Sequence, residues 1–464
     1  DNNRKNYPEY FIKFPYVNGG LFQNDYKIPK FTKESRRILV DSGNLDWSSI
    51  NPDILGSMMQ AIVNNIDRDE LGMHYTSVKN ILKVIKPLFL DGLYQELFES
   101  NNEVKKLKSI LKKIYNFRIF DPACGSGNFL VISYKELCKI EIEIYKKLKE
   151  LDSNNWLILK SGINLTQFCG IETDDYAHES AKLSLWIAQH QMNMFFKEVF
   201  GETRPTLPLS LSANIICANA IEINWNEFCP KIKDEIIFII GNPPYKGARR
   251  QTVDQKRDMT NLFAKIKTYK NNLDYVGCWF FKGAEYVDKN NAQLAFVSVN
   301  SICQGEQVEI LWPNIFKYNI EIGFAYSSFK WTNSAKGKAG VYCIIINLRS
   351  KSKSNKIKTI FNENEKKIVK NINPYLVEGN NILIASANKP ISNLSPIVFG
   401  STPNDNGNLI LNDTEKNDLI NKYPKSKKFI LQLLGAEEFL KKIPRWCIWL
   451  KDKNEKEYNN ISPI

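Results

Sequence analysis

Histidine is scarce in this sequence and its cysteines are not clustered. The 464 residues include three histidines and nine cysteines, and no two cysteines form a C-x-x-C pair. Zinc sites and disulfide frameworks are built from such clusters, so neither is indicated. We therefore expect free thiols, a reducing bacterial cytoplasm as the compartment, and no metal site.

Long apolar runs are also missing. No run approaches the ~20 residues that a membrane-spanning helix needs, and no signal-like segment stands at the start. We expect no membrane association. The chain begins at Asp1 without a methionine, so we expect a fragment of a longer protein that has been trimmed at one or both ends.

Acidic residues are outnumbered by basic ones. There are 50 Asp and Glu against 63 Lys and Arg, which gives a formal net charge of +13. This excess fits a polyanionic partner such as nucleic acid. An AT-rich genome, which enriches Lys and Asn, explains it equally well. The 43% hydrophobic content is sufficient for a large core in two or three domains.

The central stretch of the chain is Asn242-Pro243-Pro244-Tyr245, which directly follows an apolar run ending at Gly241. The run predicts a buried strand, and the two prolines fix the backbone and leave carbonyl groups without competing donors. An amino group on a planar ring is a poor nucleophile because its lone pair is delocalised. The amide oxygen of Asn242 and the carbonyl of Pro243 would localise that lone pair, while Tyr245 stacks on the ring. The same residues also suit an ordinary exit from a strand into a loop.

A glycine-rich turn occurs earlier in the chain, where Asp121-Pro122-Ala123-Cys124-Gly125-Ser126-Gly127 links a predicted strand to a predicted helix. It matches neither G-x-G-x-x-G nor G-x-x-x-x-G-K-[ST], and Asp121 would repel a phosphate. An acid there suits a ligand with an ammonium or sulfonium charge. Glu172 ends a second predicted strand, the position that binds ribose hydroxyls in α/β nucleotide folds. Together these signals predict a nucleoside-binding half-sheet.

Other polar residues lie at predicted strand ends or in loops. Asn219 ends a third strand and could contact an adenine edge, and a basic segment follows Tyr245. The loop from Phe329 to Lys338 has two aromatic residues and three lysines, which suits either nucleic acid or a solvated hairpin tip. Residues Gly72 to Ser77 interrupt a helical pattern and either cap the next helix or present hydroxyl and N–H groups to an anion.

A nuclease site is a further hypothesis. Asp91 with Glu103-Val104-Lys105 matches a carboxylate plus an E-x-K metal motif. The segment has a helical pattern, however, whereas such sites hold their carboxylates on strands. We therefore interpret the match as chance.

These motifs resemble the adenine-N6 DNA methyltransferases that use S-adenosylmethionine, in the gamma-type order. The Asp121 to Asn128 stretch is similar to that family's methionine-binding loop, and Asn242 to Tyr245 is similar to its catalytic tetrad. The Phe14–Phe22, Gly72–Ser77 and Phe399–Leu411 segments further resemble type IIG/IIL restriction-modification enzymes, single chains that join nuclease, helical spacer, methyltransferase and target-recognition domain.

The resemblance implies a role for each matching residue. Tyr75, Thr76, Asp121, Ala123, Gly125, Gly127, Glu172, Thr173, Asn219 and Ala220 would bind the cofactor. Asn242, Pro243, Pro244 and Tyr245 would be catalytic, and Tyr245 with Phe329 or Trp331 would stack on the target base. Lys246, Arg249, Arg250, Lys336 and Lys338 would contact DNA.

The implied fold is α/β, a class I S-adenosylmethionine-dependent methyltransferase. Its Rossmann-like sheet would be seven-stranded and mostly parallel, with a terminal antiparallel hairpin. The predicted division is a connector at 1–50, a helical spacer at 51–115, the catalytic domain at 116–350, and a linker with the incomplete target-recognition domain at 351–464.

The expected activity is site-specific methylation of adenine N6 in double-stranded DNA after base flipping. The protein is expected to be a monomer, and the nuclease of its parent restriction-modification protein would lie outside this fragment. Methylation of an RNA base or of a protein glutamine is the alternative, because the tetrad suits any conjugated amino or amide group.

Overall fold

The computed structural model describes residues 8, 30–46, 76–151, 161–201, 213–266, 269, 271–330, 342–351, 357–362, 365–385, 387, 389, 392–395, 407–451, 455–459 and 461. The chain divides into two compact units, Asp1–Ser386 and Ala387–Ile464. Within the described ranges, no helix combines the length and the apolar character that crossing a membrane requires.

A nine-stranded sheet forms the centre of the first unit, in the order β3-β2-β1-β4-β5-β7-β6-β8-β9. The first five strands in this order are mutually parallel, and β7 runs antiparallel to both β5 and β6. The strands are β1 Phe117–Asp121, β2 Phe168–Glu172, β3 Asn214–Cys217, β4 Ile236–Gly241, β5 Gln293–Val299, β6 Ile320–Lys330, β7 Tyr342–Ser350, β8 Lys358–Phe361 and β9 Lys366–Val369.

The predicted fold class is confirmed, with one correction to the strand count. The seven strands from β3 to β6 form the expected parallel sheet with its terminal hairpin. Two short strands extend that sheet, because β8 pairs in parallel with β6 and β9 pairs with β8. The sheet therefore continues past residue 350 to Val369.

Helices cover the sheet and precede it. They are α1 Lys33–Gly43, α2 Val78–Ile85, α3 Asp91–Glu99, α4 Val104–Tyr115, α5 Asn128–Leu151, α6 Asp175–Phe200, α7 Trp225–Phe228, α8 Val253–Phe263, α9 Gly277–Asn290 and α10 Gly305–Ile315. A π-helical turn, Lys86–Leu90, joins α2 to α3.

Alternation along the strands explains why both faces of the sheet are covered. In β4, Phe238 and Ile240 pack into the core shared with α2 to α6. Ile237 and Ile239 point to the opposite face and pack with α9 and α10. Successive side chains of a strand alternate between faces, so a continuous apolar run is the pattern of a strand buried on both sides.

The strand order reverses direction between β1 and β4, which are neighbours in the sheet. Phe120 pairs with Ile239, so the chain exits both strands at the same edge. In open α/β sheets, the crevice at such a reversal is where ligands bind. The fold thus brings the glycine-rich turn after β1 and the Asn242 to Tyr245 stretch after β4 to one place.

The second unit has its own small sheet, in the order β10-β12-β11. Its core includes Phe429, Ile448 and Ile461. Its elements are β10 Ile410–Leu411, α11 Asp413–Lys422, β11 Ile430–Leu433, α12 Ala436–Lys441, β12 Arg445–Ile448 and α13 Glu455–Tyr458.

Candidate active site

Asp121 ends β1 in the centre of the crevice and is fully buried. Its Oδ1 accepts a hydrogen bond from the Ala123 N–H at 3.0 Å. Its Oδ2 is buried and has no hydrogen-bond partner among the described residues. Burial raises the pKa of Asp121, the Ala123 bond lowers it, and the nearby Glu172 carboxylate raises it, so that the net pKa is about 8. A buried acceptor atom at the end of β1 is therefore left without a partner among the described residues.

Two glycines shape the turn that follows Asp121. Gly125 and Gly127 have φ angles of +53° and +84°, a region that favours glycine. A Cβ on Gly127 would lie 3.1 Å from the Cβ of Ala181 in α6, so this glycine also permits close packing of the turn. Asn128 then begins α5, and its buried Oδ1 lacks a partner among the described residues.

Glu172 ends β2 and holds two neighbouring turns together. Its Oε2 accepts the Gly125 N–H at 2.8 Å, which ties it to the glycine-rich turn. Its Oε1 accepts the N–H groups of Thr173 and Asp174 at 2.8 and 3.0 Å. Each carboxylate oxygen can accept more than one hydrogen bond, so this role is compatible with a further contact to ligand hydroxyls.

Asn219 follows β3 and occupies the predicted place beside these strand ends, and Ala220 next to it is buried. The Oδ1 of Asn219 accepts the Ile221 N–H at 3.0 Å, and its Nδ2 donates to Oδ2 of Asp258 at 3.1 Å. Both ends of the amide are thus held by the chain.

The tetrad directly follows a glycine whose lack of a side chain the site requires. Gly241 has a φ of +150°, and a Cβ there would lie 2.5 Å from Oδ1 of Asp121. This close approach makes the tetrad adjoin the Asp121 carboxylate directly. The next residue, Asn242, donates from Nδ2 to Oγ1 of Thr76 at 3.4 Å. The Oδ1 of Asn242 is buried without a partner among the described residues.

The rest of the tetrad leads to a pair of aromatic residues. Pro243 is buried, Pro244 and Tyr245 are half-buried. Burial and the neighbouring Cys343 thiol raise the pKa of Tyr245 far above its usual value of 10. The phenol therefore stays neutral and does not act as a base. Cys343 pairs across the hairpin with Phe329, which is 2% exposed.

A lysine covers one face of Phe329. The Nζ of Lys83, on α2, lies 4.0 Å from the centroid of the Phe329 ring. The same segment of chain carries Thr76 immediately before α2, where it is 4% exposed. Residues 76–85 therefore contact both the tetrad and the proposed stacking residue.

Three of the basic residues expected at a DNA surface lie just after the tetrad. Arg249 and Arg250 are exposed in a short 3-10 turn, and Lys246 is half-buried. The backbone of Lys246 is fixed, since its N–H donates to Oδ1 of Asp274 at 3.0 Å. Four other predicted site residues lie outside the described residues, namely Tyr75, Trp331, Lys336 and Lys338.

The E-x-K match has the helical context expected of a chance occurrence. Asp91 begins α3, and Glu103 precedes α4, which contains Lys105. Within the described part of the chain, no group of three or more His, Cys, Asp and Glu residues could hold a metal ion.

Sequence reasoning overlooked Asp258, which lies on α8 beside Asn219. This residue is 5% exposed, although it stands in a segment rich in charge. Met259 and Phe263, one and five positions further on, are also buried. That helical spacing is the signal that could have placed Asp258 on the inner face.

Comparisons with known proteins cover almost the whole chain. A model described as "MmeI, DNA-methyltransferase domain" matches residues 97–362, and one described as "MmeI, target recognition domain" matches residues 378–464. DNA methyltransferase A of Bacillus subtilis is 48% identical over 463 residues, which are 99% of this chain and 52% of that protein. A putative type II restriction enzyme and methyltransferase of Methanocaldococcus jannaschii is 28% identical over 47% of this chain and 21% of its own length.

One solved structure is similar throughout. The type IIL restriction-modification enzyme MmeI in complex with DNA superposes with a TM-score of 0.89 at 41% identity, over 98% of this chain and 61% of that one. The chain spans about half the length of its Bacillus subtilis relative.

Proposed function

Since the chain belongs to the family of MmeI-type DNA methyltransferases, we propose that it transfers a methyl group from S-adenosylmethionine to adenine N6 in duplex DNA. The observation that carries the proposal is the Oδ1 atom of Asn242, an acceptor that is buried and partnerless among the described residues. Asn242 directly follows Gly241, whose backbone lies against Asp121. A target amino group supplies the donor that this oxygen lacks.

The residues after β1, β2 and β3 fit the cofactor. The unpartnered Oδ2 of Asp121 suits a cationic ligand, and burial gives that charge–charge contact more weight than it would have in water. Gly125 and Gly127 allow a ligand to approach the backbone closely. Glu172 and Thr173 would bind the ribose, Asn219 and Ala220 would border the adenine, and Thr76 with Ala123 would hold the methionine part.

When bound, S-adenosylmethionine supplies an electrophilic methyl group. Asn242 Oδ1 and the Pro243 carbonyl accept from the target amino group, which localises its lone pair toward that methyl. Thr76 holds the Asn242 amide in the orientation that presents oxygen. Transfer would break the bond between the methyl group and sulfur, form one to nitrogen, and release one proton of the amino group to water. Alignment of the reacting atoms can remove about 7–11 kcal/mol of such a bimolecular barrier.

The target adenine must leave the duplex stack before it reaches the tetrad. Tyr245 would stack on the flipped base, and Phe329, which is 2% exposed, or Trp331 would supply the second face. Such stacking contributes about 1–3 kcal/mol per base, which is comparable to the cost of unstacking. Lys246, Arg249 and Arg250 would bind phosphates near the tetrad, and residues 378–464 would read sequence.

The test is a transfer assay on the purified protein. Radiolabelled S-adenosylmethionine and duplex DNA are incubated with it, the DNA is digested, and label is expected in N6-methyladenine. Asn242→Ala should abolish transfer while cofactor affinity stays within about threefold, because Asn242 is assigned to the target amino group, and a contact made in the transition state does not strengthen ground-state binding of the cofactor. Label in another nucleoside would contradict the N6 assignment.

Two further arms address the alternative substrates. RNA and a glutamine-containing cellular protein extract replace DNA in parallel reactions. Label that enters either of them but not DNA would favour RNA-base or protein-glutamine methylation. We place the activity in a restriction-modification system with its nuclease outside this chain; magnesium-dependent DNA cleavage by residues 1–464 would contradict that placement.

A further inference from the structure

Asn219 offers no negative charge to an adenine, although it stands where the cofactor's adenine is expected. It is a neutral amide, its Oδ1 accepts the Ile221 N–H, and its Nδ2 donates to Oδ2 of Asp258. The donor side of the amide is therefore directed at Asp258. The only carboxylate that contacts Asn219 within the described residues lies on another element, the helix α8.

Asp258 has one satisfied oxygen and one open oxygen. Its Oδ2 accepts from Asn219 at 3.1 Å and from the Tyr275 hydroxyl at 2.8 Å. Its Oδ1 accepts no hydrogen bond from the described residues, and none of their cations forms an ion pair with the carboxylate. The side chain is nevertheless 5% exposed. This oxygen is not among the fully buried polar atoms that lack a partner in the described residues, so it faces accessible space, where a ligand can donate to it.

The surroundings of Asp258 place this open oxygen at the cofactor site. Tyr275 packs edge-to-face on Trp279 with ring centroids 5.3 Å apart. The Nε1 of Trp279 donates to the carbonyl of Pro122 at 3.1 Å, in the turn that follows Asp121. Asp258 is thus held between the residues after β3 and the turn after β1, the two strand ends assigned above to the adenine and the methionine part.

We propose that Asp258 is the specificity-determining residue for the adenine of the cofactor, and that its Oδ1 accepts a hydrogen bond from the adenine 6-amino group. Asn219 and Tyr275 are positioning residues that hold the carboxylate through Oδ2. This inference rests on the proposed function, since it concerns the same cofactor. Hypoxanthine, the deaminated base, carries a carbonyl oxygen where adenine carries the amino group, and two acceptors would then face each other.

The experiment measures binding rather than activity. Isothermal titration of the full-length protein compares S-adenosylhomocysteine with S-inosylhomocysteine, which differ in this one exocyclic group. The wild-type protein should prefer the adenosyl compound by about tenfold or more, because a site built to pair with a polar group strongly rejects an analogue that lacks it.

Asp258→Asn is the decisive variant because it keeps the shape of the side chain. The new amide can keep its oxygen toward Asn219 and Tyr275, which turns its NH2 group toward the ligand. That group can donate to the carbonyl of hypoxanthine but not to an amino group. The preference should therefore fall below about threefold or invert in favour of S-inosylhomocysteine.

Asp254→Asn is the matched control, because Asp254 lies on the same helix with a 75% exposed side chain paired to Arg257. It should preserve the wild-type ratio. If Asp258→Asn lowers the affinity for both compounds equally, so that the ratio of the two affinities is unchanged, then Asp258 has only a structural role and the proposal is overturned. Equal affinities of the wild-type protein for the two compounds would overturn it even if the variant does not fold.

These outcomes separate the inference from the function on which it rests. A wild-type protein that binds neither compound would contradict the proposed cofactor itself. Binding of both compounds, together with N6-methyladenine in the transfer assay, would leave the function in place while the ratio decides the role of Asp258.

Discussion

The side chain of Asn242 donates through Nδ2 to the hydroxyl of Thr76, across 166 positions of sequence, at 3.4 Å. An asparagine amide has a donor end and an acceptor end, and a hydrogen bond at one end fixes which faces the site. With Nδ2 committed to Thr76, the oxygen is the end left for the target amino group. Under the proposed function, Thr76 would thus orient the amide of Asn242.

We predict that Thr76→Val lowers the rate of methyl transfer at saturating cofactor by about tenfold to a hundredfold, which corresponds to ~1.4–2.7 kcal/mol of lost transition-state stabilisation. The amide can then rotate and present its NH2 group. Thr76→Ser keeps the hydroxyl and should retain most of the rate. An unchanged rate at saturation with a weaker cofactor affinity would instead restrict Thr76 to cofactor binding.

The pKa of Asp121 predicts that cofactor binding depends on pH. Burial raises this pKa to about 8 in the free protein, so at pH 6 the carboxyl is mostly protonated and neutral. A cationic cofactor favours the ionised form and binding must then release the proton. The dissociation constant should fall by up to about tenfold per pH unit as pH rises from 6 toward 8, and level off above it.

Asp121→Asn is the control for that profile. It cannot ionise, so any remaining pH dependence belongs to the cofactor's own α-amino group, which titrates at about 7.7–8.0 in model compounds. Titration calorimetry from pH 6 to 9 on both proteins gives the Asp121 contribution as the difference of the two profiles. Parallel profiles would reject the assignment of Asp121 as the partner of the cofactor's charge.

Gly241 tests how tightly the tetrad is packed against the cofactor site. Gly241→Ala places a methyl group 2.5 Å from Oδ1 of Asp121 at a φ of +150°. We expect a loss of about 1–3 kcal/mol in the free energy of unfolding, the usual cost of such backbone strain. Cofactor affinity should also fall, because Asp121 must shift.

Two other glycines serve as controls, with chemical denaturation as the measurement. At Gly125 the φ is +53°, but an added Cβ would meet open space. Gly125→Ala therefore measures the cost of backbone strain without steric overlap. Gly247→Ala has open space, and its φ is −58°. It should change stability by less than ~0.5 kcal/mol. Equal stability of all three variants would contradict the close packing at Gly241.

The parallel sheet and the place of the site could be predicted from the sequence because both depend on local signals. Apolar runs such as Ile236–Ile240 indicate strands buried on both faces, and polar residues directly after them mark one edge of the sheet. The predicted resemblance to type IIG/IIL enzymes is confirmed by the matching methyltransferase and target-recognition models. The individual roles of the site residues stay predictions.

The parts that could not be predicted depend on contacts between distant segments. Nothing local in Thr76 indicates that it bonds to Asn242, and nothing in Asn219 indicates Asp258, 39 positions away. The strands β8 and β9 escaped notice because they are four residues long and lysine-rich, a composition typical of loops. The pairing of β8 with β6, and of β9 with β8, supplies the stability that their own sequence does not indicate.

Phe329 is the described candidate for the second face of the target base, and its ring is already covered on one face by Lys83. The ring is also 2% exposed, so a base stacks on it only if neighbouring side chains shift. We predict that Phe329→Leu, which keeps an apolar side chain in the core, lowers kcat/KM by about 5–150-fold, since stacking contributes ~1–3 kcal/mol. Phe329→Ala is less suitable, because the cavity it leaves would cost about 3–5 kcal/mol of stability and the loss of stacking could not be separated from that effect.

The measurement compares two DNA substrates that differ only in whether the target adenine is paired. An unpaired adenine needs less energy to leave the stack, so a defect in stacking should matter less there. The loss in Phe329→Leu should therefore be several-fold smaller on a duplex with an abasic position opposite the target. Trp331→Leu, made in parallel, should leave both substrates nearly unaffected. If instead Trp331→Leu shows the larger loss on the paired substrate and Phe329→Leu affects neither substrate, then Trp331 is the stacking residue. Phe329 would in that case be a core residue that stabilises the hairpin.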